Sequence, residues 1–201
     1  MFNICIQKCK TVFAVAVINY RTAWFKIIAP LLAHNMSTGK GVKIVQRLTV
    51  QGWGGIQVGE SSELGVYPSP GFKRGEFYLE ARNKAARIII GKRVLINNGC
   101  TMIADKSTIE VGDNTLIGPD FLCVDSDFHP LDPSQRLTSN YECQAVKIGK
   151  NVFIGARVTI LKGVTIGDHA VIAAGSLVFK DVPTGAVFTG TPGKVISYLT
   201  V

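Results

Sequence analysis

Of the three histidines in this chain, His129 stands where an imidazole could do chemistry. It lies in the run Asp125-Ser126-Asp127-Phe128-His129-Pro130-Leu131-Asp132-Pro133, a polar stretch in a chain that is 47% hydrophobic. Histidine takes up and returns a proton near neutral pH because its unperturbed pKa is about 6.5, which suits general acid–base work. Asp125 and Asp127 are both close enough in sequence to orient the ring, and both equally suit solvated turns, so the sequence does not choose between them. His34 precedes the patterned part of the chain, and His169 falls in a Gly167-Asp168-His169 corner, expected in solvent. The five cysteines are an odd number without paired spacing, which argues for reduced thiols and a cytoplasmic setting rather than a disulfide framework.

The elements that must position His129 are read from a six-residue period. Ile148, Ile154, Ile160, Ile166, Ile172 and Val178 follow at unbroken intervals of six, and Val152, Val158, Val164, Ala170, Ser176 and Val182 lie four residues after them. No helix has that period. An aliphatic residue every sixth position, with Gly149, Gly155 and Gly167 at the corners, predicts short strands stacked coil on coil in a parallel β-helix. The same interval joins Ile90, Ile96 and Met102, then Val111, Ile117 and Cys123, with a three-residue slip around Ala104–Lys106 between the sets. It is weaker at Ile44, Val50 and Ile56, although Val58–Gly59 and Leu64–Gly65 repeat the apolar–glycine pair, and Tyr67–Arg74 reads as a looser loop. Cys100 and Cys123 take inward positions as small core residues. Three hexads would make one triangular coil, with coils roughly 4.8 Å apart. The expected division is a helical segment over 1–41, a β-helix over 42–190 with an excursion at 129–147, and a tail over 191–201.

Residues 1–59 hold seven Lys or Arg and no Asp or Glu, an uneven share of the net charge of +8. Thr11–Ile18 is apolar, and Trp24, Phe25, Ile27, Ile28, Leu31 and Leu32 follow a helical interval. Arg21 and Lys26 interrupt them, and Pro30 is expected to bend or end the helix. The uncharged run is too short for a bilayer, which needs about 20 residues, and no signal-cleavage pattern follows it. Two readings stand: an amphipathic cap on the open end of the β-helix, or a helix lying on an anionic inner-membrane surface. No nucleic-acid motif accompanies the charge.

From Tyr78 to Ile196 the chain resembles the hexapeptide-repeat acyltransferases, in the branch of maltose, galactoside and capsular-polysaccharide O-acetyltransferases. The motifs are Asp127-Phe128-His129-Pro130-Leu131-Asp132, Lys147-Ile148-Gly149-Lys150-Asn151-Val152-Phe153-Ile154-Gly155, Gly163-Val164-Thr165-Ile166-Gly167-Asp168, Ala173-Ala174-Gly175-Ser176 and Lys180-Asp181-Val182-Pro183. The resemblance implies an all-β, left-handed parallel β-helix, against the usual right-handed crossover. It further implies a homotrimer with acetyl-CoA bound in clefts between subunits and no metal.

A thioester is already activated, so transfer to a weakly nucleophilic sugar hydroxyl chiefly needs a base, and the resemblance assigns that part to His129. It places Asn97 and Asp105 as acceptor-binding candidates, and Asp127 of the loop is taken as a third. For acetyl-CoA it implies a groove of Phe153, Gly155, Ala156, Ala173 and Ala174, with Lys180 and Lys194 to neutralise the phosphates. Phe153 stands where relatives often carry Trp, and Phe179 replaces the threonine usual before the Lys-Asp pair. The expected function is acetyl-CoA-dependent O-acetylation of a saccharide or cell-surface polysaccharide precursor, in the cytoplasm, a peripheral membrane contact being one of the two readings of the N-terminus. N-acetylation of an amino-sugar nucleotide is the alternative. A β-helical zinc hydratase, needing three convergent histidines, and a purely structural solenoid are remote ones.

Overall fold

In a computed structural model, which describes residues 2–32 and 35–200, with side chains at 11–25, 27 and 35–200, helix α1 (Phe2–Leu32) precedes a three-sided coil. His34, and the side chains of Lys26, Ile28, Pro30, Leu31 and Leu32, lie outside the described residues. The α1 backbone runs two residues past Pro30. No helix among the described residues is long and apolar enough to cross a membrane.

Face A stacks Met36–Thr38, Gly55–Val58, Arg87–Ile90, Thr108–Val111, Val146–Ile148 and Thr165–Ile166. Face B stacks Lys43–Ile44, Glu63–Leu64, Leu95–Ile96, Leu116–Ile117, Phe153–Ile154 and Val171–Ile172, and is extended by Ala186–Gly190 and, antiparallel to it, Gly193–Tyr198. Face C stacks Leu48–Gly52, Phe77–Ala81, Thr101–Ala104, Leu122–Val124, Thr159–Ile160 and Leu177–Val178. The chain passes A to B to C in each coil, so every residue between strands belongs to an A–B, a B–C or a C–A edge.

Side chains alternate along each strand, and those turned inward fill the prism. Val58, Ile90, Val111, Ile148 and Ile166 stack in register on face A, and Leu64, Ile96, Ile117, Ile154 and Ile172 on face B. Leu79, Met102, Cys123, Ile160 and Val178 do the same on face C. All fifteen are buried. The corner residues Val152, Val158, Val164, Ala170, Ser176 and Val182 are buried too, which is why a branched or small residue recurs four places after each ladder position. Ile56 departs from the sequence reading. It pairs with Ile88, and Val58 holds the ladder place, because the face A strands of the second to fourth coils are four residues long and turn two side chains inward.

Candidate active site

The excursion leaves the prism at the C–A edge, between Val124 and Val146, and its two arms are zipped where they depart. Ser126 and Cys143 form an antiparallel bridge, and Gln144 N donates to Asp125 O at 2.8 Å. Below them Asp125 is wholly buried, and its carboxylate accepts the backbone N–H of Asp105 and of Ser107, each at 2.7 Å. Burial raises the Asp125 pKa, while those backbone donors pull it back. The carboxylate thus closes the corner of the coil beneath the loop.

Phe128, held in the left-handed region at φ 61°, makes the turn that carries His129. A bulky residue in that region stores strain of order 1–3 kcal/mol, and such strain gathers at functional sites. Two contacts hold it: Phe128 N donates to Ser126 Oγ at 2.9 Å, and the Arg82 guanidinium lies 5.0 Å from the ring centroid. Arg82 is itself fixed by Glu80, with Nε 2.7 Å from Oε1.

After His129 the chain folds back through a short 3₁₀ turn at Pro133–Gln135. Asp132 caps it by accepting Ser134 N at 2.9 Å, and Pro133 follows, where a missing N–H costs nothing. That turn returns the Arg136 carbonyl to 2.8 Å from His129 Nδ1. A carbonyl only accepts, so Nδ1 carries the hydrogen and the lone pair of the neutral ring is on Nε2. His129 is exposed to solvent.

Neighbouring coils clamp the loop from both sides. Lys162 Nζ reaches Asp127 Oδ2 at 2.6 Å and Glu142 Oε2 at 2.9 Å, joining the arms, and Asp127 chiefly raises the Lys162 pKa. Lys106 donates to Ser139 O at 3.0 Å and lies 3.9 Å from the Tyr141 ring centroid. Beside Lys162 opens a cleft of about 330 Å³ whose lining includes Asp127, His129, Leu131, Tyr141 and Glu142.

The residues singled out from sequence divide between edges. Asp105, Asp127, His129 and Lys180 lie along the C–A edge; Lys180 is exposed above the Phe179 ring, 5.6 Å from its centroid. Asp105 is wholly buried: Asn83 Nδ2 donates to its Oδ1 at 2.8 Å, and Tyr141 bonds to it, which raises the phenol pKa. Asn97, Gly155, Ala156, Ala173 and Ala174 occupy the B–C edge, where a Cβ on Gly155 would fall 2.5 Å from Ala174 N. Phe153 projects from face B, half exposed, in an outward apolar row with Leu95, Leu116, Val171 and Val187. Lys194 sits in the hairpin that extends that face. His169 is partly buried, its Nδ1 2.9 Å from Asn151 Nδ2, rather than free in solvent. Within one chain, then, the groove residues and the His129 loop stand on different edges.

Sequence reasoning missed several supports. Asn83, Arg82 and Lys162 gave no signal, because they reach Asp105, Phe128 and Asp127 respectively from other coils. Buried Gln46 and Asn98 are also new: Asn98 Nδ2 donates to Val66 O and Pro70 O, each at 2.9 Å, and Gln46 Nε2 to Gly71 O at 3.1 Å, tying down the Tyr67–Arg74 loop. No group of three or more His, Cys, Asp or Glu among the described residues is placed to hold a metal ion.

Residues 145–180 match the family model described as bacterial transferase hexapeptide (six repeats). Galactoside O-acetyltransferase of Escherichia coli K12 is 40% identical over 111 residues, 55% of this chain and 54% of that protein. Its namesake from Lactococcus lactis is 36% identical over 124 residues, 62% of this chain and 58% of that one. The chain thus spans about half the length of the curated relatives it matches. The crystal structure of a hexapeptide-repeat acetyltransferase from Vibrio cholerae, complexed with acetyl-CoA, superposes with a TM-score of 0.53 at 29% identity, covering 81% of this chain and 73% of that one. The repeat, the three-faced coil and these likenesses make the fold a left-handed parallel β-helix and the chain similar to hexapeptide-repeat acetyltransferases.

Proposed function

We propose that this chain transfers an acetyl group from acetyl-CoA to a hydroxyl of a saccharide, with His129 as the general base. The observation that carries the reading is the Nδ1–H bond to the Arg136 carbonyl, which leaves Nε2 as the proton acceptor at the open cleft. Likeness to galactoside O-acetyltransferases supports the acceptor class.

In the step proposed, the acceptor oxygen attacks the thioester carbonyl as its proton passes to Nε2; the new C–O bond forms, the C–S bond breaks, and the proton leaves with the CoA sulfur as a thiol. His129 need only be held in one tautomer and one direction, and the Phe128 turn and the 3₁₀ turn do both. Asp127, exposed beside it and tethered to Lys162, is the candidate for contact with acceptor hydroxyls.

Acetyl-CoA is assigned to the B–C edge, where Gly155, Ala156, Ala173 and Ala174 leave the backbone accessible beside the Phe153 ring; Lys180 and Lys194 are assigned to its phosphates. Because the loop and this groove stand on different edges, we assign each complete site to two chains, the C–A edge of one meeting the B–C edge of the next in a homotrimer. The outward apolar row on face B, with Leu116 and Phe153 about half exposed, suits cover by a neighbouring copy. The cytoplasm is the proposed setting, where acetyl-CoA and polysaccharide precursors meet.

Purified protein with acetyl-CoA and a panel of free sugars, lipid-linked oligosaccharides and amino-sugar nucleotides, scored by CoA release, tests the reading. Acetyl esters on a saccharide are the expected product, and acetylation confined to amines would overturn it.

A further inference from the structure

Helix α1 presents a second surface that acetyl transfer does not use. One side docks on the first coil: Ala14 and Phe25 are buried, Ile44 N donates to Thr22 Oγ1 at 3.0 Å, and Arg21 Nη1 donates to Val45 O at 2.6 Å. At about 100° per residue, the opposite side carries Val12, Phe13, Ala16, Tyr20, Ala23, Trp24 and Ile27. All are exposed, the larger ones by 49% to 70%. Asn19 is the polar residue among them, and no charged side chain joins them among the described residues. A helix side meant for water carries charge, so an apolar half-cylinder of this width marks contact with something apolar.

Beside that face lies a cleft of about 210 Å³, its lining including Tyr20, Arg21, Trp24, Phe25, Arg47 and Leu48. Both guanidiniums line this cleft, and burial, then the charge of Arg47, lowers the Arg21 pKa from its ordinary value. Neither forms an ion pair with a carboxylate among the described residues. Residues 1–59 contain no acid that could serve them. Guanidiniums without a carboxylate partner suit a phosphate, and an indole and a phenol in the lining suit the headgroup level of a bilayer.

We propose that α1 lies in the plane of an anionic lipid surface, with Val12, Phe13, Tyr20, Trp24 and Ile27 entering the boundary between headgroups and acyl chains and the Arg21–Arg47 cleft holding a headgroup phosphate. This holds whether or not the acetyl-transfer reading is right. It places the coil beside acceptors carried on lipids, and three copies per assembly would multiply a weak contact.

Full-length protein sedimented with vesicles of phosphatidylglycerol and phosphatidylcholine, against phosphatidylcholine alone, tests it. Binding to the anionic vesicles is expected, weakening as salt rises. Phe13→Asp with Ile27→Asp should weaken it roughly tenfold or more, as should Arg47→Glu, both variants keeping the melting temperature and hydrodynamic size of the wild type. In a Trp53→Phe background the emission of Trp24 should shift to the blue on the vesicles. Absence of binding at low salt, unchanged binding by the double variant, or a smaller assembly for that variant would overturn the proposal; the last result would assign the face to contact between copies of the chain.

Discussion

Replacing His129 by alanine separates catalysis from folding, because the structure gives the imidazole so little structural work. The side chain is exposed, and its hydrogen bond to the Arg136 carbonyl lies within its own loop. An exposed bond of that kind contributes about 1 kcal/mol or less, so the melting temperature should move by only a few degrees. The imidazole is assigned to the acceptor's proton and not to holding CoA, so the dissociation constant for CoA should change less than about twofold. Turnover should fall by about 10²- to 10⁴-fold, the usual contribution of a general base, equivalent to roughly 3–5 kcal/mol of barrier. The assay is release of CoA thiol under saturating acetyl-CoA, with calorimetry for CoA binding and a thermal melt on the same preparation. Added imidazole should restore part of the lost rate through the space left at position 129. Turnover within threefold of wild type would refute the assignment, and loss of CoA affinity in parallel with turnover would move His129 from proton transfer to binding.

Two other substitutions probe the supports. Asp125→Asn sets an amide N–H against one of the two backbone N–H groups, of Asp105 or Ser107, that the carboxylate accepts; it should cost about 2–3 kcal/mol in urea unfolding and reduce turnover more than it alters CoA binding. Gly155→Ala brings a methyl 2.5 Å from Ala174 N, so the two B–C corners must part; CoA affinity should fall at least fivefold by calorimetry, while His129→Ala leaves it in place.

The coil was legible where its strands are shortest. From Phe153 to Val178 each strand has two residues and turns one side chain inward, so the six-residue step and the ladder coincide. Toward the N-terminus the face A strands lengthen to four residues, and an isoleucine such as Ile56 can keep the interval yet miss the ladder. The polar break announced the loop, and the type of residue singled out His129 as its candidate base. Its partner could not be announced, since the Arg136 carbonyl belongs to the backbone and carries no residue signal. Lys162 was equally silent, because thirty-five residues separate it from Asp127 and only the stacking of coils joins them. The unpartnered side of α1 needed the docked helix, since sequence alone does not show which apolar residues the first coil covers.

The central claim is that each complete site takes the loop of one chain and the groove of another. Mixed trimers test it most directly. His129→Ala removes the base, and Ala174→Trp, at an exposed corner, blocks the groove; neither homotrimer should turn over appreciably. Unfolded together and refolded as an equal mixture, they should regain roughly a quarter of wild-type activity, since that share of clefts pairs an intact loop with an intact groove. Equal mixtures that stay inactive, although light scattering shows trimers and tags show exchange, would place the whole site within one chain and contradict the account.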